Sequence, residues 1–377
     1  MRYAPTTEQD EFTRTIRAFL EKRVPESERP AVPCGTERFD PTLWRDIANQ
    51  LELLGIAVPE EFGGSGFGSV ERGLAVEEFG RALVPAPFFA TTVLVLPLLV
   101  AAARNGAATD DVRDIIAGRL VASAALAEPG RSPESAPTTQ AGRSGLLSGT
   151  KSVVMDGDLA DFYVVSALDP VGDTGLYLVR ADAPGVNVLG QSMLDPTRGS
   201  AEVRLENAPG SPLPVSEGAG RVISDVLARA RVDLAFEQLG GAQRCLEIAV
   251  DHAKNREQFG RPIGSFQAVK HMCAEVACDI ESVRSAAWYA AWAADTMSDD
   301  LVSLAYTAKY LGSQAYLKAA RTCVHVLGGI GYTWEHPAQL FFKRATSDAQ
   351  FLGSPDEELA RLADRILDSS TVLGNRS

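Results

Sequence analysis

The sequence predicts an α+β fold in three parts: a helical domain over residues 1–120, a middle β-sandwich or barrel over 121–214, and a four-helix-type bundle over 215–377. Three observations predict it. Apolar residues recur at helical spacing in the first part, as in Phe12, Ile16, Phe19 and Leu20. Short β-rich runs bounded by Gly, Pro, Asp and Ser fill the middle. Long uninterrupted helical runs close the chain, and helices of that length in a row imply antiparallel packing.

In the first part, Thr7-Glu8-Gln9-Asp10 reads as a helix start. After a Pro-rich link from Pro25 to Pro33, a second helix opens at Leu43-Trp44-Arg45-Asp46 and ends at the Gly-rich stretch Gly55–Gly66, which contains Pro59-Glu60-Glu61-Phe62-Gly63-Gly64. Helix resumes over Val70–Arg81, and the nearly all-apolar stretch Thr91–Ala103 predicts one buried helix. The middle part predicts strands over Val121–Leu126, Gly145–Met155, Phe162–Ser166, Leu176–Arg180 and Ala201–Leu205, with a mobile loop over 130–144. The last part predicts helices over about 222–254, 264–296, 299–327, 335–351 and 356–369.

Composition narrows the function. A net charge of −13 argues against a nucleic-acid surface. No apolar run is long enough for a membrane span: Thr91–Ala103 is too short and holds Pro97. The first residues carry no apolar signal region, which predicts a cytoplasmic protein. Cys34, Cys245, Cys273, Cys278 and Cys323 lack metal-ligand spacing and read as free thiols, mostly buried; the four His share no motif, so no metal site is predicted.

The most informative stretch runs from Arg256 to Gln267 (Arg-Glu-Gln-Phe-Gly-Arg-Pro-Ile-Gly-Ser-Phe-Gln). A Gly/Pro break between two helical runs predicts a tight, fixed turn. Its Arg, Phe and Gln supply a donor fork, a stacking face and an amide, which suit a large anionic cofactor with a ring system; an ordinary helix corner with solvated Arg is the alternative.

Four stretches in this domain order resemble the acyl-CoA dehydrogenase family of FAD flavoproteins. They are Pro59–Gly64, Ala127-Glu128-Pro129-Gly130, Arg256–Gln267, and Leu327-Gly328-Gly329-Ile330-Gly331-Tyr332 with Trp334-Glu335-His336-Pro337. The resemblance implies that Arg256, Phe259 and Gln267 reach an FAD bound chiefly by a neighbouring subunit, Arg256 toward its pyrophosphate and Phe259 toward its adenine end. It implies that Gly328 and Gly329 bring backbone to the same FAD, with His325 where the family has Gln. Against the chain's own flavin it implies Ala127, Glu128, Val153 and Met155. Here Ala127 replaces a Thr, and Val153 and Met155 replace a Trp and a Thr, so side-chain donors give way to apolar groups.

The family's reaction removes the α-proton of an acyl-CoA while a hydride leaves the β-carbon for flavin, and it needs a carboxylate base. The position most members use falls on Leu352, before Gly353; a second falls on Ala230, before Arg231. Glu237 is the remaining candidate base, seven residues on from Ala230 on the same helix face. Gly240 and Gly241 are expected to leave room for an acyl chain, with Arg231 beside the substrate. Asp348 and Asp356–Glu358 lie near the old base position, and the acidic run reads as a helix N-terminus. Trp288, Tyr289 and Trp292 read as bundle packing, and His336 as a turn residue.

Two function readings follow. One is a dehydrogenase subunit for a bulky or branched acyl-CoA, with Glu237 as base and an electron-transfer flavoprotein as acceptor. The other is a catalytically silent partner that completes the FAD site of a second family member. The assembly is expected to be a homotetramer or an α2β2 heterotetramer, as in the bacterial steroid and branched acyl-CoA subgroup that the chain resembles.

Overall fold

Thr6 opens the chain's first helix. Its side chain accepts from the Gln9 N–H at 3.3 Å while the Gln9 carboxamide accepts from the Thr6 N–H at 2.9 Å, a reciprocal cap. The computed structural model describes residues 5–25 and 38–374, with side chains to residue 367. Cys34 and nearly all of the Pro25–Pro33 link lie outside the described residues. Helix α1 (Thr7–Arg23) buries Ile16 and Leu20. Helix α2 (Pro41–Asn49) is capped by Asp40 and buries Leu43, Trp44 and Ile47, and α3 (Ser69–Ala82) is buried along most of its length.

The single helix expected over Thr91–Ala103 is two pieces. A wide π turn spans Phe89–Val95 and runs into α4 (Leu96–Ala103), whose first turn holds Pro97. Pro97 has no N–H to give back to Val93, and widening the turn there removes the clash of its ring. Helix α5 (Thr109–Ile116) was not expected; its eight residues lack a side-chain cap and bury only Val112 and Ile115.

The middle part is all β. Its strands are β1 (Ala122–Ala125), β2 (Gln140–Ala141), β3 (Leu146–Met155), β4 (Phe162–Leu168), β5 (Thr174–Arg180), β6 (Val186–Gly190), β7 (Ser200–Pro209) and β8 (Ser211–Leu213). They form an eight-stranded sheet ordered β6-β7-β3-β2-β4-β5-β8, with β1 parallel to β4. Strand β4 is buried on both faces: Tyr163, Val165 and Ala167 enter the core with Leu147, Val179, Val203 and Leu205, while Ser166 points the other way. The loop expected to be mobile over 130–144 contains β2 and is tethered at its base.

Helix α6 (Ala219–Asn255) then leads into a hairpin of β9 (Glu257–Gln258) and β10 (Arg261–Pro262). After it come α7 (Gln267–Asp295), α8 (Leu301–Leu327), α9 (Ala338–Gln350) and α10 (Pro355–Gly374). The helices sit within a few residues of their expected ends.

The order of helical, β and helical parts is as expected, and by contacts the chain clusters into two compact units. One comprises Met1–Ala31, Ser69–Val84 and Arg231–Ser377; the other comprises Val32–Gly68 and Pro85–Ala230. Leu239, Cys245, Ile280, Tyr316 and Phe341 centre the core of the first. Trp288 is buried as expected, whereas Tyr289 and Trp292 are partly exposed and stack on each other at 5.8 Å. Cys245 and Cys323 are buried thiols, Cys273 is half-buried and Cys278 is exposed.

In the first unit α3 and α6 approach so closely that a Cβ on Gly240 would stand 1.9 Å from the Glu77 carbonyl oxygen, and one on Gly80 would stand 2.1 Å from that of Glu237. Overpacking at such a contact costs about 1–3 kcal/mol. Gly240→Ala is therefore expected to lower stability by at least that range, read as a lower urea midpoint at unchanged slope.

Candidate functional site

The residues singled out in the sequence fall into two sets, one in each unit. The first set lies on the β unit. Glu128 is buried and its carboxylate accepts from Lys151 Nζ (2.8 Å), from the Thr138 N–H (2.7 Å) and from the N–H and hydroxyl of Thr139 (2.9 and 2.7 Å), as well as from the Thr138 hydroxyl. Burial alone would raise its pKa, but these donors hold it well below the usual carboxylate range. Lys151 is itself buried and bonds Ser166 as well, and burial pushes its ammonium down against the pull of Glu128. Glu128 is thus a staple that ties the loop after Ala127 to Thr138 and Thr139. Lys151, Thr138 and Thr139 were missed in the sequence, although a lone Lys amid an apolar strand was the available signal.

Beyond Lys151 the ladder with β7 slips by a bulge before Val154. Val153 sits on that bulge at φ +52° and is 53% exposed, while Met155 is buried. Ala127 is half-buried, and its carbonyl accepts from the Ser152 N–H at 3.0 Å. For a flavin this wall offers apolar side chains and main-chain groups only.

The second set lies in the helical unit. Arg256, Phe259 and Gln267 are all exposed on the hairpin and the start of α7, and Gln267 lies 3.4 Å from His271. Phe259 is 91% exposed at φ +53°, a left-handed conformation that costs a residue with a Cβ about 1–2 kcal/mol. His325 is exposed on the last turn of α8. Gly328, at φ +66°, and Gly329 are exposed after it, with open space where a Cβ would stand. Guanidinium, exposed ring and bare backbone fit the adenine and diphosphate end of an FAD. His336 has a local role, its Nδ1 accepting the Ala338 N–H at the start of α9.

Glu237 is 3% exposed, and its Oε1 lies 2.5 Å from Arg344 Nη1 on α9. The acyl-chain room expected beside it is filled: the Glu77 carbonyl stands against Gly240, and the Tyr316 ring would be 2.3 Å from a Cβ on Gly241. Those two glycines serve helix packing. Arg231, expected beside substrate, is buried, pairs with Glu358 at 3.2 Å and donates to the Leu352 carbonyl at 2.9 Å. Lys309 grips the same turn, donating to the Gly353 carbonyl at 3.2 Å and to Ser313 Oγ at 2.8 Å. Burial pushes the Lys309 ammonium down to about 8 against the attraction of Glu358 and Asp348. Burial likewise raises Glu358, against Arg231. The acidic run does start a helix, with Ser354 and Glu357 capping each other, yet Glu358 turns inward. Among the described residues no cluster of His, Cys, Asp or Glu has the arrangement of a metal site, and no helix is long and apolar enough to cross a membrane.

Family models match in two places: the acyl-CoA dehydrogenase N-terminal domain over residues 6–106 and the C-terminal domain over 217–367. Acyl-CoA dehydrogenase IpdE2 of Mycobacterium tuberculosis is 32% identical over 365 residues, covering 97% of this chain and 99% of that protein. Acyl-CoA dehydrogenase FadE34 of the same organism is 35% identical over 333 residues, 87% of this chain but 43% of the relative. Among solved structures, the Tcur3481-Tcur3483 steroid ACAD matches with a TM-score of 0.86 at 32% identity, over 97% of this chain and 99% of that one. The ChsE4-ChsE5 complex from M. tuberculosis matches with a TM-score of 0.86 at 26% identity, over the same shares of each chain.

Removing Lys151 leaves the buried Glu128 carboxylate its threonine and backbone donors but no counter-ion, so Lys151→Met is expected to lower unfolding free energy by about 3 kcal/mol. Glu128, lowered in the fold, contributes stability that is present above its ordinary value of 4.5 and is lost as pH falls below it. In acid unfolding followed by circular dichroism, Glu128→Gln should flatten that limb. Lys309, also lowered in the fold, gives a slope of the same sign in an alkaline window. Between pH 8 and its ordinary 10.5 the unfolded chain binds the proton that the fold has released, so stability rises with pH there. Lys309→Met should abolish that rise in urea midpoints measured across the window.

Proposed function

The chain belongs to the acyl-CoA dehydrogenase family of FAD-dependent oxidoreductases, and from that premise we propose that it is one subunit of a two-chain dehydrogenase for bulky, steroid-type acyl-CoA thioesters. In that assembly it completes the FAD site of a second family member and leaves proton abstraction to that chain. One observation carries this reading. Ala230 and Leu352 fill the two usual base positions, and the remaining carboxylate, Glu237, is buried against Arg344 at 2.5 Å. An oxygen so committed is a poor acceptor for an α-proton, and the two glycines expected to leave acyl-chain room are packed against Glu77 and Tyr316.

The comparisons support the same direction. A relative described as a steroid ACAD and a relative described as a two-protein complex both match nearly the whole chain. FadE34, of which this chain covers less than half, is long enough to carry a second such part in one polypeptide.

FAD, when bound, accepts the hydride that leaves the β-carbon as the α-proton is removed. This chain's share is binding and orientation. Arg256 offers a bidentate fork to the diphosphate, Phe259 a ring face beside the adenine, and Gly328-Gly329 their bare backbone. The apolar surface at Ala127 and Val153 excludes water without donating to a flavin. An electron-transfer flavoprotein is the proposed electron acceptor of the assembly.

Purified alone, the chain is expected to show no stoichiometric flavin absorption in the visible, and to gain it on co-expression with a second family member. In the active assembly Glu237→Gln should leave kcat within about threefold of wild type, because general-base loss lowers rates about 10²-fold or more. A loss of that larger size with the fold intact makes Glu237 the base and sets aside the silent-partner reading.

A further inference from the structure

Arg261 was not singled out by any motif, yet the hairpin places it beside Arg256. Strand β9 pairs Gln258 with Arg261 and Glu257 with Pro262, and the Ile263 N–H donates to the Arg256 carbonyl at 2.8 Å, which continues the register. Alternation along the strands therefore puts Arg256, Gln258 and Arg261 on one face and Glu257 on the other. Arg256 and Arg261 are diagonal neighbours on that face, about 7–8 Å apart at the backbone, within mutual reach of two long side chains. Both are exposed, and among the described residues no carboxylate pairs with either.

Two further features give this face its shape. The Arg261 guanidinium lies 4.1 Å over the ring of Phe266, so its fork is held in place by stacking instead of moving freely. Phe266 also meets Phe259 edge to face at 6.1 Å, which ties the exposed tip to the same platform. The tip, Phe259-Gly260, has φ of +53° and +75°, the paired positive values of a tight type I′ hairpin that fixes the register. A solvated surface arginine needs none of this.

We propose that Arg256 and Arg261 form a two-fork clamp on the diphosphate of an adenine nucleotide, with Phe266 as the platform that positions Arg261. This rests on the reading that the arm serves a cofactor outside its own chain. Two guanidinium forks match the two phosphates of one diphosphate, each binding non-bridging oxygens side-on. FAD and the CoA end of the substrate both carry an adenosine diphosphate group; the clamp is assigned to FAD.

The test uses the flavin-loaded assembly, co-expressed with its second chain, and compares Arg256→Ala, Arg261→Ala, Arg261→Lys and Phe266→Leu. FAD dissociation is read from the fluorescence of released flavin across a salt series, and KM for the acyl-CoA is measured separately with FAD saturating. Arg261→Ala should weaken FAD binding about tenfold or more and reduce its salt dependence. Arg261→Lys should recover only part of that affinity, Phe266→Leu should fall between, and KM should stay near wild type. If Arg256→Ala releases FAD while Arg261→Ala holds it like wild type, the clamp is wrong and the partner-site reading stands. If Arg261→Ala raises KM for acyl-CoA and leaves FAD in place, the diphosphate is the substrate's and the assignment to FAD is overturned. If neither Arg256→Ala nor Arg261→Ala changes FAD retention, the partner-site reading itself fails.

Discussion

Helix α6 joins the helical unit through buried charge. Within seven residues it sends Arg231 to Glu358 on α10, Asp233 to Arg72 on α3, and Glu237 to Arg344 on α9. Each pair is almost wholly removed from water, where an ion without its partner costs several kcal/mol. Apolar contacts along a helix tolerate sliding and rotation, but three buried pairs to three different helices do not. They set the rotation of α6 and the register of its neighbours, and the Gly80 and Gly240 contacts with α3 then set the distance. The carboxylate that looked most like a base is one of these three anchors.

The same constraint bears on the turn after α9, to which the sequence resemblance assigns the usual base position. Leu352 occupies it at φ +61°, and its carbonyl and that of Gly353 are gripped by Arg231 and Lys309. Glu358 closes over Gly353 so tightly that a Cβ there would meet its Oε1 at 2.2 Å. A turn fixed by two cations and a buried carboxylate is built to stay shut. Its rigidity fits a subunit that supports a site better than one that supplies a moving proton acceptor.

How far the sequence could be read followed from how local each signal was. The long helices from α6 to α9 were legible because dozens of apolar positions repeat at one period, and the Arg256–Gln267 turn because Gly and Pro punctuate it. Strands β2, β6 and β8 were not, being two to five residues long and dependent on their neighbours for definition. Pro97 marked a break, but nothing local said that a π turn would absorb it. The partners of the candidate site residues were not legible because they are distant in sequence: Arg344 lies 107 positions from Glu237, and the Glu77 carbonyl against Gly240 comes from another helix. A glycine pair beside a carboxylate reads equally well as ligand room or as close packing until the opposing helix is known.

Glu128 and Glu237 together show why a buried carboxylate by itself says little about catalysis. Glu128 sits among five donors from Lys151, Thr138 and Thr139 and is locked as an anion. Glu237 meets a guanidinium at 2.5 Å. A proton acceptor must keep an oxygen open toward its substrate, and the partners around both groups work against that. The exposed hairpin presents the reverse case: arginines that no carboxylate among the described residues pairs with, and a ring at positive φ turned outward. In this fold the groups that look finished hold the structure, and the groups that look unfinished are those a cofactor or a second chain would complete.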